Sequence, residues 1–130
     1  MSLLVPHLGQ SKMLETIVRQ DLTLRLFIND KTPAWWDKAS GYVEPKGNGY
    51  FPIPLKWAEW EVTIAPPITA SYPEQVFTFT GAVGDVYGYY VLHDKSGVML
   101  WLERFPNAPF QIKNEGDQIK IELTLKYGSK

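Results

Sequence analysis

The chain has 130 residues, 45% of them hydrophobic and 21% charged, with a net charge of −1. That is the size and balance of one globular domain able to bury its own core without staples. The near-neutral charge excludes broad electrostatic capture of nucleic acid or anionic membrane, which needs clustered Lys and Arg. The absence of cysteine excludes disulfides and thiolate metal sites and fits assembly in a reducing cytoplasm.

Met1-Ser-Leu-Leu-Val-Pro6 is too short and lacks the basic flank of a signal peptide. No apolar run approaches the roughly 20 residues of a membrane-spanning helix. The first predicted element is a helix over residues 9–20, where Met13, Leu14, Ile17 and Val18 recur at helical spacing and Gly9 or Ser11 supplies the cap. This helix either covers an open sheet end or belongs to an arm, residues 1–21, that carries Leu3 and Leu4 to a neighbouring subunit.

Residues 22–130 are expected to form a single β domain. Leu22 to Ile28 alternates cleanly, with Leu22, Leu24, Leu26 and Ile28 on one face. From Ala34 to Pro54 the pattern dissolves into a Pro- and Gly-dotted segment with Trp35-Trp36, Tyr50 and Phe51. A loop of that length in a small domain is usually functional; a short helical turn is expected near 37–43. Residues 55–64 read as a strand with Trp60, Val62 and Ile64 on one side. Ala65-Pro-Pro67 interrupts the pattern, after which 68–72 reads as a short edge strand and 75–80 as another.

The centre of the chain is Phe77 to Phe105. Two aromatic and β-branched runs, Val86–Leu92 and Val98–Phe105, flank Asp94-Lys-Ser-Gly97, the signal of a β-hairpin. Gly88 inside the first run points to a bulge or to close approach by another backbone. Phe110–Lys113 reads as a short strand. Gln118–Tyr127 alternates most clearly, with Ile119, Ile121, Leu123, Leu125 and Tyr127 on one face. Roughly seven to nine strands at this spacing predict a mainly β fold, an antiparallel β-sandwich of jelly-roll-like type with one short N-terminal helix.

No catalytic constellation emerges. His7 and His93 lie in unrelated segments without metal-ligand spacing. Glu59 and Glu61 share a strand face as paired carboxylates must, but alternating Glu also keeps a sheet edge soluble. Gly81–Gly88 lacks the Lys-Ser/Thr of a phosphate loop. The chain therefore reads as no enzyme, with no cofactor and no metal. The remaining candidates are interaction residues: Leu3, Leu4, Trp35, Trp36, Tyr50, Phe51 and Trp57. Aromatic side chains of this kind anchor protein interfaces or stack on sugar rings.

Four segments, DLTLRLFINDKTP, WEVTIAPPITASYPEQVFTFTG, VYGYYVLHDKSGVMLWLERF and NEGDQIKIELTLKY, together resemble small virion structural proteins of tailed bacteriophages. They follow in the same order over about residues 20 to 127, and the Trp35-Trp36 region fits the family pattern least. The resemblance implies an assembly role: a head decoration (cement) protein in the virion, assembled in the bacterial cytoplasm, that binds the major capsid protein and copies of itself, often as a trimer. A tail, baseplate or neck component is the alternative in the same class. A carbohydrate-binding sandwich using Trp35, Trp36 or Trp57 on a glycan is the alternative outside it.

Overall fold

The computed structural model describes residues 4–126; Leu3 and Tyr127 of the expectations above lie outside them. Among these residues the protein is mainly β, with one N-terminal helix, α1 (His7–Val18), and nine strands: β1 (Leu22–Phe27), β2 (Ile53–Leu55), β3 (Glu61–Val62), β4 (Thr69–Thr78), β5 (Gly84–Val86), β6 (Gly88–His93), β7 (Val98–Arg104), β8 (Phe110–Ile112) and β9 (Gln118–Lys126). They form three sheets, ordered β2-β1-β6-β7, β3-β4-β9 and β5-β8. The strand pairs of known register are antiparallel. The chain divides into two compact units, one of Met1–Gln20, Lys56–Glu74 and Ile121–Lys130, the other of Asp21–Leu55 and Gln75–Lys120.

In the first unit α1 starts earlier than its pattern suggests. Pro6 is the residue before the helix, with φ −59°, and proline suits this entry because its missing N–H is one the first turn leaves unpaired anyway. Gly9 and Ser11, the expected caps, lie inside the helix. Leu14 and Val18 are buried, whereas Met13 and Ile17 remain exposed. The expected strand over 55–64 is instead a 3-10 turn, Trp57–Glu59, followed by the two-residue β3. Trp57 and Trp60 stand three apart, which suits a turn rather than a period of two. Trp60 is buried edge-on against Tyr72, their centroids 5.0 Å apart. The Tyr72 hydroxyl accepts from the Lys56 amide (2.9 Å) and donates to Glu59 (3.2 Å).

The two short strands expected over 68–72 and 75–80 are one strand, β4, that runs through Pro73. Proline is tolerated there because the β3 pairing ends at Glu61↔Ser71, so Pro73 sits beyond that ladder and need not donate to it. β9 follows its predicted alternation, with Ile119, Ile121 and Leu123 buried.

The second unit is organised on β1, which is buried on both faces. Leu22, Leu24 and Leu26 fill one side. Thr23, Arg25 and Phe27 occupy the other, where Phe27 packs edge-on against Tyr42 (4.7 Å) and forms a cluster with Tyr42 and Tyr90. β6 pairs along the whole of β1, but β2 reaches only from Leu22 to Leu24. Past that point the Leu26 amide donates to the Tyr50 hydroxyl (3.1 Å), which in turn donates to Glu44 Oε1 (2.6 Å). Glu44 Oε2 accepts from Arg25 (2.9 Å), Arg25 Nε donates to the Thr23 hydroxyl (2.9 Å), and Thr23 donates to Asp94 in the hairpin turn (2.9 Å). Burial, then the Glu44 hydrogen bond, pushes the Tyr50 phenol up, so it stays a donor.

The hairpin forms as predicted, β6 and β7 joined through Asp94–Gly97. Gly88 is the site of close approach: an added Cβ would lie 2.5 Å from Phe27 Cζ and overlap the Glu103 carbonyl oxygen. The bulge falls elsewhere, on β7 opposite the Val91–Leu92 step, where Leu100 is left without a ladder partner.

Two outcomes test this scheme. Gly88→Ala should lower stability by more than ~3 kcal/mol, because one of its obstacles is backbone that cannot rotate away; urea unfolding measures it. Tyr50→Phe leaves the buried Leu26 amide and a Glu44 oxygen without their partner and should cost ~1–3 kcal/mol in the same assay.

Candidate interaction surface

Residues 28–43 leave β1 and return to it as a compact loop whose ends are tied together. The Ile28 amide donates to the Val43 carbonyl (2.7 Å), and the Asn29 side chain bridges the Gly41 carbonyl and the Val43 amide (2.9 Å each). Arg104 of β7 holds the outgoing arm through Asp30 (2.6 Å) and the Lys31 carbonyl (3.3 Å), with its guanidinium 5.1 Å from the Tyr87 ring centre. The expected helical turn is present as a 3-10 turn, Ala39–Gly41.

At the far end of this loop, Ala34-Trp-Trp-Asp37 makes a β-turn in which the Asp37 amide donates to the Ala34 carbonyl (3.1 Å). The two tryptophans take the central positions. Trp35 is 101% exposed and Trp36 80%. Beneath them the Asp37 carboxylate, 4% exposed, accepts from the Ala34 amide (2.8 Å) and the Tyr42 hydroxyl (2.6 Å) and pairs with Lys31 Nζ (3.4 Å). The Tyr42 bond first, then the Ala34 amide, with Lys31 adding to both, hold the Asp37 carboxyl below its ordinary value. Burial and the Asp37 carboxylate push the Tyr42 phenol up. The acid is therefore ionised and the phenol protonated, which is the pairing the hydrogen bond requires.

Beside the turn lies an open groove of about 440 Å³, lined from the loop by Pro33, Ala34, Trp35 and Asp37 and from β7 by Met99 through Leu102. β7 is the last strand of its sheet, and its run of apolar residues is half-buried with Val98 and Leu100 exposed.

The other predicted residues are placed apart. Leu4 and Phe51 are exposed. Tyr50 is turned inward, 8% exposed, stacked on Phe77 at 5.8 Å and spent on the hydrogen bonds to Leu26 and Glu44, so it is no part of this surface. Trp57 belongs to the first unit and is exposed, with the Arg19 guanidinium 5.3 Å from its ring centre and Glu15 pairing Arg19 at 2.6 Å. Trp35, Trp36 and Trp57 therefore do not assemble within one unit. Sequence reasoning missed Asp37 and Leu100. The signal for Asp37 was its position closing a four-residue turn after two tryptophans; Leu100 had none.

Among the described residues no group of three His, Asp or Glu is placed to hold a metal ion, and no helix is long and apolar enough to cross a membrane. Glu59, Glu61 and Glu122 line one shallow depression with Ser71, Tyr72 and Pro73. The chain matches no protein-family model, no curated protein and no solved structure.

The clamp gives a pH prediction with a definite sign. An acid whose folded pKa is lowered contributes stability above its ordinary value, 3.8 here, and loses it as pH falls through the lower folded value. Hydrogen exchange of the Ala34 amide, corrected for intrinsic rate, should be constant from pH 8 to that value and accelerate only below it. In Asp37→Asn the same amide should exchange faster at every pH, because the amide side chain presents a single acceptor oxygen where two donors and a cation now meet.

Proposed function

We propose that this chain is a non-enzymatic assembly protein, a virion structural component of a tailed bacteriophage that decorates the head by binding the major capsid protein and further copies of itself. The observation that carries this reading is the Trp35–Trp36 turn. Two indoles stand almost fully in water on a turn that three contacts to Asp37 hold in one shape. Each removes on the order of 200 Å² of surface when it docks, and the fixed turn spares the ordering cost that a flexible loop would incur. Such a contact is modest alone. Repeated around a shell it becomes strong, because each added copy binds at high effective concentration.

In this reading the antiparallel sheets are the layers of a jelly-roll-like sandwich. The two-sided burial of β1 and the in–out alternation of β9 support that arrangement. The four segments that resemble virion structural proteins support a place in the virion, and cryo-electron microscopy of the virion separates head from tail.

Purified protein mixed with matching expanded capsids should co-sediment with them and raise their disruption temperature. The Trp35→Ala/Trp36→Ala protein should do neither while unfolding at the wild-type temperature. Wild-type protein that leaves the shells unbound and no more heat-resistant sinks the decoration reading.

A further inference from the structure

We propose that the Trp35–Trp36 turn docks into the groove beside it on a second copy of this chain, the two copies related by a twofold axis. The inference takes from the assembly reading only that the turn is a protein-binding surface; it names the partner.

The chemistry of the groove selects an aromatic occupant. Its β7 wall is Met99, Leu100, Trp101 and Leu102, and Pro33 and Trp35 lie opposite. Apart from Asp37, no charged residue lines it. At about 440 Å³ it has room for a ring system, and a thioether such as Met99 adapts its shape to a ring and interacts well with one. The turn next to it presents such a group, the Trp35 indole, with every face in water.

Knob and hole belong to one patch, since Trp35 is a wall of the groove. A head-to-tail contact would ask that single patch to give and receive with two different neighbours at once. A twofold contact meets both needs in one encounter, because each copy's turn enters the other's groove. Charge agrees. A twofold axis brings a patch against itself, so an unpaired charge would meet its own like. Asp37 is closed by Lys31 (3.4 Å), and Arg104 nearby on β7 by Asp30 (2.6 Å).

Strand addition is the competing way to use an end strand, and the bulge opposes it. Leu100 interrupts the regular register of β7, and bulges of this kind blunt sheet edges against a further strand. The same bulge places Leu100 and Trp101 together on the groove wall. The area is sufficient for a reversible dimer. Two indoles with the exposed parts of Val98 and Leu100 amount to about 600 Å² per copy, or roughly 1,200 Å² in all, at the low end for a specific interface.

Sedimentation velocity of the full chain over about 1 to 100 µM tests this, a range matched to an interface of that size. Wild type should pass from monomer to dimer within it. Trp36→Ala truncates the knob at the indole that does not line the groove, and Leu100→Glu places a charge in the hole; each should remain monomeric with an unchanged circular dichroism spectrum. Because a twofold dimer holds two turn–groove contacts, an equimolar mixture of the two variants keeps one of them. It should form a mixed dimer weaker than wild type.

A wild-type monomer at every concentration, a trimer, a Leu100→Glu protein that dimerises normally, or a mixture that restores nothing overturns the proposal. Should Leu100→Glu misfold, Leu100→Ser takes its place with the same expected loss. Capsid co-sedimentation reads the other question separately: a wild-type protein that binds shells as a monomer keeps the assembly role and loses this dimer.

Discussion

A strand buried on both faces must find a partner for every polar group it carries, and β1 carries Thr23, Arg25 and an amide, that of Leu26, with no strand opposite it on the β2 side. Leaving such groups unpaired in the interior costs about 1–3 kcal/mol each. The partners come from far along the chain: Glu44 and Tyr50 from the long insertion and Asp94 from the hairpin turn. One constraint on one strand thereby fixes where the insertion returns. It also explains why Tyr50 faces inward. The backbone at Gly47, Asn48 and Gly49 is left-handed throughout, with φ of 71°, 51° and 84°, a run that two glycines make accessible. The Tyr50 amide closes that turn on Gly47 (3.1 Å), and the phenol then stands where β2 has run out.

The same logic acts at the outer end of the loop on a smaller scale. Arg104, Asn29 and the Ile28–Val43 bond close its base, and Asp37 closes its tip. Several polar groups are spent inside the loop, which leaves the indoles as its main apolar contribution to the outside. An aromatic side chain is normally held by its apolar surroundings, as Trp60 is by Tyr72. Trp35 and Trp36 are placed instead by the turn that Asp37 closes, and their rings stay largely in water.

The fold was legible wherever one residue's role depended on its own neighbours in sequence. β9 alternates over nine residues, the hairpin turn is four turn-formers long, and Gly88 marks the crossing of Phe27. It was illegible where the role depended on what another strand lacks. Nothing near Pro73 tells that β3 stops at the level of Ser71, so one strand reads as two. Nothing near Tyr50 tells that β2 is three residues long, so a core tyrosine reads as a surface one. The exposed pair Trp35-Trp36 was visible from its setting among prolines and glycines. Its groove was not, because Val98-Met-Leu-Trp-Leu102 carries the sequence of a strand buried on both sides.

That mismatch in β7 bears most directly on what the molecule does. A run of five large apolar residues on the last strand of a sheet normally invites indiscriminate strand pairing, and natural proteins blunt it with charge, proline or a bulge. β7 has only the bulge within that run, and its charges, Glu103 and Arg104, are already engaged with Tyr89 and Asp30. The bulge stops the backbone from pairing but leaves the side chains available. Beside them a turn holds two more apolar groups in water. An end strand closed to ladders and open to side chains is a surface shaped for contact with another folded body.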